Sequence, residues 1–152
     1  DLTNETQLAI LPGWKGTNGW NYAYGPVYRV IGSKAENGRA RAVLSAARRG
    51  LAPLLWRNEL SATGLEMAVT GSDDLALVLP AFEFDGERKS EVRIAKDGFT
   101  VAFDGWICRW ETNGEIVDTG KVYGNRNGHY RRLEARSVAK GPLRVTISIS
   151  KK

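Results

Sequence analysis

The sequence contains very little of the two side chains on which much metal and nucleophilic chemistry depends. Its 152 residues include one cysteine, Cys108, and one histidine, His129. A single cysteine excludes an internal disulfide framework and a cysteine-cluster metal site. A single histidine argues against His-based zinc sites and most catalytic triads. We therefore expect no cofactor, although a structural Ca²⁺ held by backbone carbonyls would leave no pattern in the sequence and stays open.

Short signature motifs and long apolar runs are also missing. There is no G-x-S-x-G, P-loop, G-x-G-x-x-G, H-E-x-x-H or EF-hand pattern. No run approaches the roughly 20 apolar residues of a membrane helix, so we expect no membrane partner. The chain starts at Asp1 without an initiator Met or a leader. We expect either processing or a longer parent chain, so the missing leader does not decide the location.

The composition that remains is that of an ordinary globular protein, but its charge is uneven. Hydrophobic residues make up 42% and charged residues 26%, and the length fits one domain. We predict a polar linker at residues 1–7 and a single domain at 8–152. Residues 51–120 carry six Lys or Arg against thirteen Asp or Glu, whereas residues 121–152 carry nine against one. The basic last segment favours an anionic partner, unless its cations are simply the solvated faces of strands.

Turn signals and a period of two dominate the chain. Asn-Gly and Asp-Gly pairs, which supply the positive φ angles of tight hairpins, recur at Asn18-Gly19, Asn37-Gly38, Asp85-Gly86, Asp97-Gly98, Asp104-Gly105, Asn113-Gly114 and Asn127-Gly128. Strands are predicted between them, at 75–84, 92–94, 99–103, 106–111, around Ile116, and at 130–133 and 143–150. The pattern predicts an all-β protein, a single antiparallel β-sandwich of jelly-roll-like type.

One segment is ambiguous. Residues 40–49, ARAVLSAARR, contain alanines that suit a helix, yet Ala40, Ala42 and Leu44 would also share one face of a strand. We favour a strand because Gly38 and Gly50 bound the segment and its neighbours are all predicted strands.

The most unusual segment, residues 11–30, is rich in aromatic residues and glycine. Trp20, Tyr22 and Tyr24 lie two residues apart and would share one face of a strand, while Trp14 is predicted in a Gly-rich loop. A row of aromatic rings suits the C–H faces of sugar rings and also stacks nucleic-acid bases. These four residues are therefore ligand-binding candidates. The alternative is that they fill the core.

Two further clusters are candidates. Trp56 and Arg57 can offer a stacking plane beside a hydrogen-bond donor, the alternative being a core Trp with Arg57 facing water. The segment YGNRNGHYRR, residues 123–132, offers amide and guanidinium groups that bind hydroxyls and carboxylates, with Asn125, Arg126, Asn127 and Arg131 as ligand-binding candidates.

The same segment contains side chains that eliminate a uronic acid. The catalytic candidates are His129, Tyr130 and Arg131, since an Arg neutralises the carboxylate and a Tyr or His moves the proton. However, His129 and Tyr130 are neighbours and would point to opposite faces of a strand. Paired carboxylates for glycoside hydrolysis, such as Glu83 with Asp85, are not shown by the sequence to face a cleft. A structural turn is the alternative.

Taken in order, the strings WNYAYGPVYRV, RRGLAPLLWRN, VLPAFEFDG and DTGKVYGNRNGHYRRLEA, with the alternating last strand, resemble a known type of domain. The chain resembles the C-terminal β-sandwich regions of large bacterial polysaccharide-degrading enzymes, notably heparinase II/III-like lyases. The resemblance implies a secreted accessory sandwich, extracellular or periplasmic, beside a catalytic domain on a longer chain. No catalytic motif of that family maps onto these residues.

Four functions follow from these observations. The first is a non-catalytic carbohydrate-binding or accessory module whose partner is a polysaccharide or oligosaccharide, which its basic residues allow to be acidic. The second is an interdomain sandwich without a ligand of its own. The third is a small lyase or glycoside hydrolase. The fourth, a nucleic-acid-binding barrel, ranks last, because the sequence lacks the dense interleaving of basic and aromatic residues on one strand pair.

Overall fold

A computed structural model describes residues 10–24, 27–125 and 127–152. The predicted linker at 1–7 lies outside these residues. The described part forms strands and turns and no α-helix. In chain order its strands are β1 (Leu11–Gly16), β2 (Gly19–Tyr22), β3 (Tyr28–Glu36), β4 (Arg39–Arg48), β5 (Leu51–Ser61), β6 (Gly64–Thr70), β7 (Leu75–Phe84), β8 (Glu91–Ala95), β9 (Gly98–Phe103), β10 (Trp106–Thr112), β11 (Glu115–Asn125), β12 (Gly128–Arg136) and β13 (Leu143–Lys151).

The strands form two packed antiparallel sheets, which confirms the predicted β-sandwich. The smaller sheet has the order β11-β12-β7-β1-β2, and the larger has the order β3-β4-β5-β6-β13-β10-β9-β8. Most neighbours are hairpins of consecutive strands. The ambiguous segment at 40–49 is strand β4, as predicted, and the hairpins on Asn37-Gly38 and Asp97-Gly98 also form where predicted.

The core lies between the sheets and depends on the period of two. On the larger sheet Leu143 and Val145 are buried, while Arg144 between them and Thr146 after them face water. On the smaller sheet Leu77 of β7 and Leu133 of β12 face inward and are completely buried. Each such side chain contributes about 1.5–3 kcal/mol of hydrophobic stabilisation.

Strand β7 is buried on both of its faces. Besides its inward leucines, the outward-facing Ala76 and Val78 are 0% and 1% exposed. Val78 lies opposite Glu134 of β12 on one side and Leu11 of β1 on the other. A third layer of side chains therefore covers the outer face of the smaller sheet at this point.

The larger sheet extends beyond the smaller one and leaves part of its inner face uncovered. Ala35, Ala40, Leu60 and Leu65 lie in one cross-strand row on that face. Leu60 is 54% exposed, and Ile149 of β13, on the same face, is 63% exposed. We call this surface, together with Val30 and Trp106, the uncovered strip. Nowhere in the described ranges is a helix long and apolar enough to cross a membrane.

Candidate functional site

The side chains that cover β7 come from β12, which pairs directly with β7, and from β2, which β1 separates from it. In β12, Leu133 and Ala135 point into the core, so Arg132, Glu134 and Arg136 point outward together. In β2, Tyr22 lies opposite Gly13 of β1 on the same outer face. The sheet thus brings one aromatic strand and one charged strand together over β7 and β1.

Gly13 allows the Tyr22 ring to cross β1. A Cβ atom at residue 13 would lie 2.7 Å from Cδ1 of Tyr22, closer than carbon atoms approach. The ring therefore lies against the Gly13 backbone, and the Tyr22 hydroxyl donates a hydrogen bond to Oε1 of Glu134 at 2.7 Å. Burial, and then the hydrogen bond to the Glu134 carboxylate, raise the pKa of Tyr22 to about 12.

Glu134 is the centre of this outer layer and is only 2% exposed. Its Oε1 also accepts hydrogen bonds from Nη2 and Nε of Arg132, at 3.0 and 3.2 Å. Its Oε2 accepts from Nη2 and Nε of Arg136, at 2.9 and 3.1 Å. A buried carboxylate is tolerated when it is paired and its oxygens are saturated, and both conditions hold here.

The aromatic rings and guanidinium groups stack on each other. Cζ of Arg132 lies 4.5 Å from the centre of the Tyr22 ring, and Cζ of Arg136 lies 4.8 Å from the Trp20 ring. Arg132 also donates from Nη1 to the Tyr24 hydroxyl at 3.4 Å. Burial of Arg132 opposes its charge, but the hydrogen bonds to Tyr24 and Glu134 outweigh that effect and hold its pKa above the ordinary value.

These side chains form one side of an open groove of about 370 Å³. Strand β11 supplies the other side. We call it the aromatic–arginine groove, and its lining residues are Tyr22, Tyr24, Thr119, Lys121, Tyr123, Arg132, Glu134 and Arg136. Three cations and one carboxylate leave the groove net positive. It offers aromatic rings, hydroxyl groups and charged donors, a combination suited to binding a polar ligand.

Two of the aromatic candidates line the groove and a third lies beside it. Several residues that were not predicted from the sequence line it too. Tyr22 and Tyr24 line it, with ring centres 6.3 Å apart in an edge-to-face arrangement, and Trp20 lies beside it. Arg132, Glu134, Arg136, Lys121 and Tyr123 were not selected. The alternation R-L-E-A-R in β12, with apolar residues between charged ones, was the signal that could have found the first three.

Trp14 is not part of the groove. It lies in strand β1, so the predicted loop is wrong at this position, because the glycines around it are accommodated within the β1–β2 hairpin. Its Cα partner on β7 is Leu75, and its side chain packs against the core on the inner face. Arg48 covers the ring from outside, with Cζ 5.5 Å from the ring centre.

Trp56 and Arg57 lie on opposite faces of β5. Trp56 packs against the core beside Tyr28, with ring centres 5.8 Å apart, and its Nε1 has no hydrogen-bond partner among the described residues. Arg57 faces water on the outer side of the larger sheet. The two side chains therefore do not form one stacking site.

The candidates at the β11–β12 hairpin lie at the end of the sandwich. Arg126 lies outside the described residues, only the backbone of Asn125 is described, and Asn127 is an exposed turn residue. Arg131 faces away from Arg132 and forms ion pairs with Glu83 and Asp118. These ion pairs occupy two edges of the Arg131 guanidinium.

Two of the catalytic candidates, His129 and Arg131, lie together against Glu83 at one cleft, and Tyr130 does not line it. His129 lies with Nε2 3.4 Å from Oε2 of Glu83, beside a cleft of about 410 Å³. Tyr130 instead packs on Phe82, with ring centres 5.5 Å apart. Arg131 lines the same cleft as His129. The three side chains do not converge on one point, and their catalytic role stays a prediction.

Acidic side chains form no metal cluster in the described part of the chain, where no group of three or more His, Cys, Asp or Glu residues could hold an ion. Asp85, one of the paired carboxylates, accepts the backbone N–H groups of Glu87 and Arg88 and so shapes a turn. A calcium site made of backbone carbonyls stays a prediction.

Comparison with known proteins adds a structural relationship. No family profile matches the sequence, and no curated protein matches it. Among solved structures, the chain is similar to a heparinase III, the BT4657 gene product, at 15% identity and a TM-score of 0.57 over 82% of this chain. A second structure of that protein, with methylated lysines, gives 14% identity and a TM-score of 0.53.

This similarity confirms the resemblance to a heparinase-like sandwich that the sequence suggested. Because the identity is only 14–15%, the similarity establishes the fold alone. The chain spans about a fifth of the heparinase III, 22% and 21% of the two chains. It therefore corresponds to one part of that larger protein.

Proposed function

We propose that this chain is an accessory, non-catalytic β-sandwich of a polysaccharide-degrading enzyme that binds a glycan in the aromatic–arginine groove. The similarity of fold to part of a heparinase III supports the link to polysaccharide degradation. The single observation that supports the binding role is the layer in which Glu134 holds two guanidinium groups against aromatic rings beside an open groove. The proposal includes export to the periplasm or the cell exterior.

The side chains of the groove would have different roles in binding the glycan. The oxygens of Glu134 are already occupied by Tyr22, Arg132 and Arg136, so its role would be to hold those side chains in place. The exposed ring of Tyr24 and the ring of Tyr123 offer surfaces for the C–H faces of sugars. The outward edges of the arginines and Lys121 donate hydrogen bonds to hydroxyl or acidic groups.

A binding assay with variants at the rim of the groove tests this proposal. A glycan array at low and at physiological salt selects the ligand, and calorimetry measures its affinity. We expect Tyr24→Ala to weaken binding about five- to tenfold, the value of one ring contact. Trp106→Ala, which removes an exposed ring elsewhere, is the matched control and should bind like the parent chain. A blank array at both salt concentrations would contradict the proposal.

A second candidate function, an interdomain packing role, is favoured by the uncovered strip. Leu60, Ile149 and Trp106 expose apolar surface on the inner face of the larger sheet. Large exposed apolar patches on soluble proteins mark contact surfaces. The occupant we propose is the catalytic domain of the same enzyme, since this fold is about a fifth of the heparinase III chain.

Radical footprinting distinguishes this role from glycan binding. The oxidation of Leu60 and Trp106 is compared between the isolated chain and the longer enzyme that would contain it. We expect protection of both residues in the longer enzyme only. Equal oxidation in the two samples would reject the interdomain contact without affecting the groove.

A further inference from the structure

The outer face of the larger sheet carries two arginines in register with one another. Arg57 of β5 lies opposite Ala68 of β6, and Arg144 of β13 lies opposite the same Ala68. Two strand spacings of about 4.8 Å place their Cα atoms roughly 10 Å apart. Because Ala68 ends at Cβ, nothing larger than a methyl group stands between the two side chains.

These two guanidinium groups differ from others on the same face. Arg39 and Arg41 both pair with Glu59, at 2.9 and 2.8 Å. Within the described residues, neither Arg57 nor Arg144 has a side-chain hydrogen bond or an ion pair. Carboxylates are available nearby, so their lack of a partner is not explained by a shortage of anions on this face.

A shallow groove of about 360 Å³ connects the two arginines. Arg57, Ala68, Arg144 and Thr146 line it. Two carboxylates line it as well: Glu59, which pairs with Arg41, and Glu66, which has no ion pair to Arg57 or Arg144 among the described residues. None of its lining residues is aromatic. Recognition here would therefore depend on charge and hydrogen bonds, unlike recognition in the aromatic–arginine groove.

We propose that Arg57 and Arg144, which lie on either side of Ala68 along one groove, form a second binding site that takes a tetrahedral oxyanion, a sulfate or phosphate group. A guanidinium presents planar, parallel N–H donors that match two oxygens of such an anion at once. The two guanidinium groups, on either side of Ala68, can each bind two oxygens of the anion, and the Thr146 hydroxyl adds another donor. The site lies on the opposite side of the sandwich from the aromatic–arginine groove and is independent of it.

The site can be tested by NMR titration of the intact chain with inorganic sulfate and, separately, inorganic phosphate. Chloride keeps the ionic strength constant, because exposed charges are screened by salt. We expect saturable shifts of the Ala68 amide and of both arginine Nε signals. Whichever anion binds more tightly assigns the ligand chemistry to sulfate or to phosphate.

Charge-conserving variants distinguish specific binding by the two guanidinium groups from nonspecific electrostatic attraction of the anion. We expect Arg57→Lys combined with Arg144→Lys to weaken anion binding about tenfold, because lysine keeps the charge but lacks the planar pair of N–H donors. Arg29→Lys combined with Arg49→Lys, at exposed positions elsewhere, should leave affinity unchanged. Equal binding by both double variants, or linear shifts spread over all basic residues, would overturn the proposal. Glycan binding in the other groove should be unaffected by either variant.

Discussion

Replacing Glu134 by glutamine should destabilise the sandwich severely although it changes the side-chain shape very little. The carboxylate is 2% exposed and accepts hydrogen bonds from Arg132, Arg136 and Tyr22. In Glu134→Gln the amide oxygen can serve one guanidinium, whereas the amide NH₂ group faces the donors of the other. Two closely packed cations then lose their common anion.

The size of the effect follows from the burial of the network. Removing one partner of a buried ion pair costs about 3–5 kcal/mol. The Arg136 side chain is 28% exposed, so solvent compensates part of its loss and we expect the lower end, about 3 kcal/mol. For a domain of this size each kcal/mol lowers Tm by about 2–4 °C, which gives a fall of about 6–12 °C.

Urea and thermal unfolding followed by tryptophan fluorescence measure this change. Glu66→Gln is the matched control because Glu66 is exposed on the larger sheet, and its effect should stay within about 0.5 kcal/mol. A loss below about 1 kcal/mol in Glu134→Gln, with an unchanged urea dependence, would refute the role of Glu134 as the anion that holds the outer layer together.

Three further changes test neighbouring features. Gly13→Ala should displace the Tyr22 ring and the β2 backbone and cost about 1–3 kcal/mol, measured by urea unfolding, because the new Cβ overlaps both the ring and the Asn21 carbonyl oxygen. The Tyr22 pKa is raised to about 12, so its contribution to stability is complete below about pH 10 and is lost as the pH rises through 12. Burial raises the pKa of Tyr28 even further, so ultraviolet titration should show one phenol ionising near pH 12, before Tyr28, and the loss of that step in Tyr22→Phe would assign it to Tyr22. The backbone N–H of Gly120, and then Arg131, lower the pKa of Asp118, so its contribution is present above the unfolded pKa and is lost as the pH falls. Asp118→Asn should therefore cost less than about 1 kcal/mol at neutral pH, since the group is partly exposed, and nothing below the pKa of folded Asp118. Equal loss at both pH values would contradict this reasoning.

Much of the fold could be predicted because its signals are local. Asn37-Gly38 and Asp97-Gly98 fix hairpins, and the alternation from Leu143 onward fixes a strand with one buried face. The strand at 40–49 could be inferred from its bounding glycines. The prediction for Trp14 shows the limit of this approach. The glycines around it suggested a loop, but Gly13 lies within strand β1, where the missing side chain makes room for the Tyr22 ring.

The candidate site could be predicted only in part because it depends on which strands become neighbours. The aromatic row at Trp20 and Tyr22 is visible in ten residues of sequence. Its charged partner Glu134 lies 112 residues from Tyr22 along the chain, and two strands separate them in the sheet. No local pattern encodes that proximity. The choice of Arg131 over Arg132 had the same cause, since alternation gives two faces without saying which one meets the aromatic strand.

The outer layer serves stability and binding at the same time, and this determines which variants can establish the function. Arg132 and Tyr22 both bind Glu134, which lies opposite the buried Val78 of β7, so removing either would disturb the outer layer and the groove together. Loss of glycan binding in such a variant would not separate the two roles. Lys121 is exposed at the rim. Tyr24 is 40% exposed and contacts the cover through one long hydrogen bond from Arg132 and an edge-to-face contact with Tyr22, so its removal should cost less stability than removal of Tyr22. If Tyr24→Ala and Lys121→Ala reduce affinity while Tm stays unchanged, the groove binds its ligand through the rim, and the buried network beneath serves to hold it open.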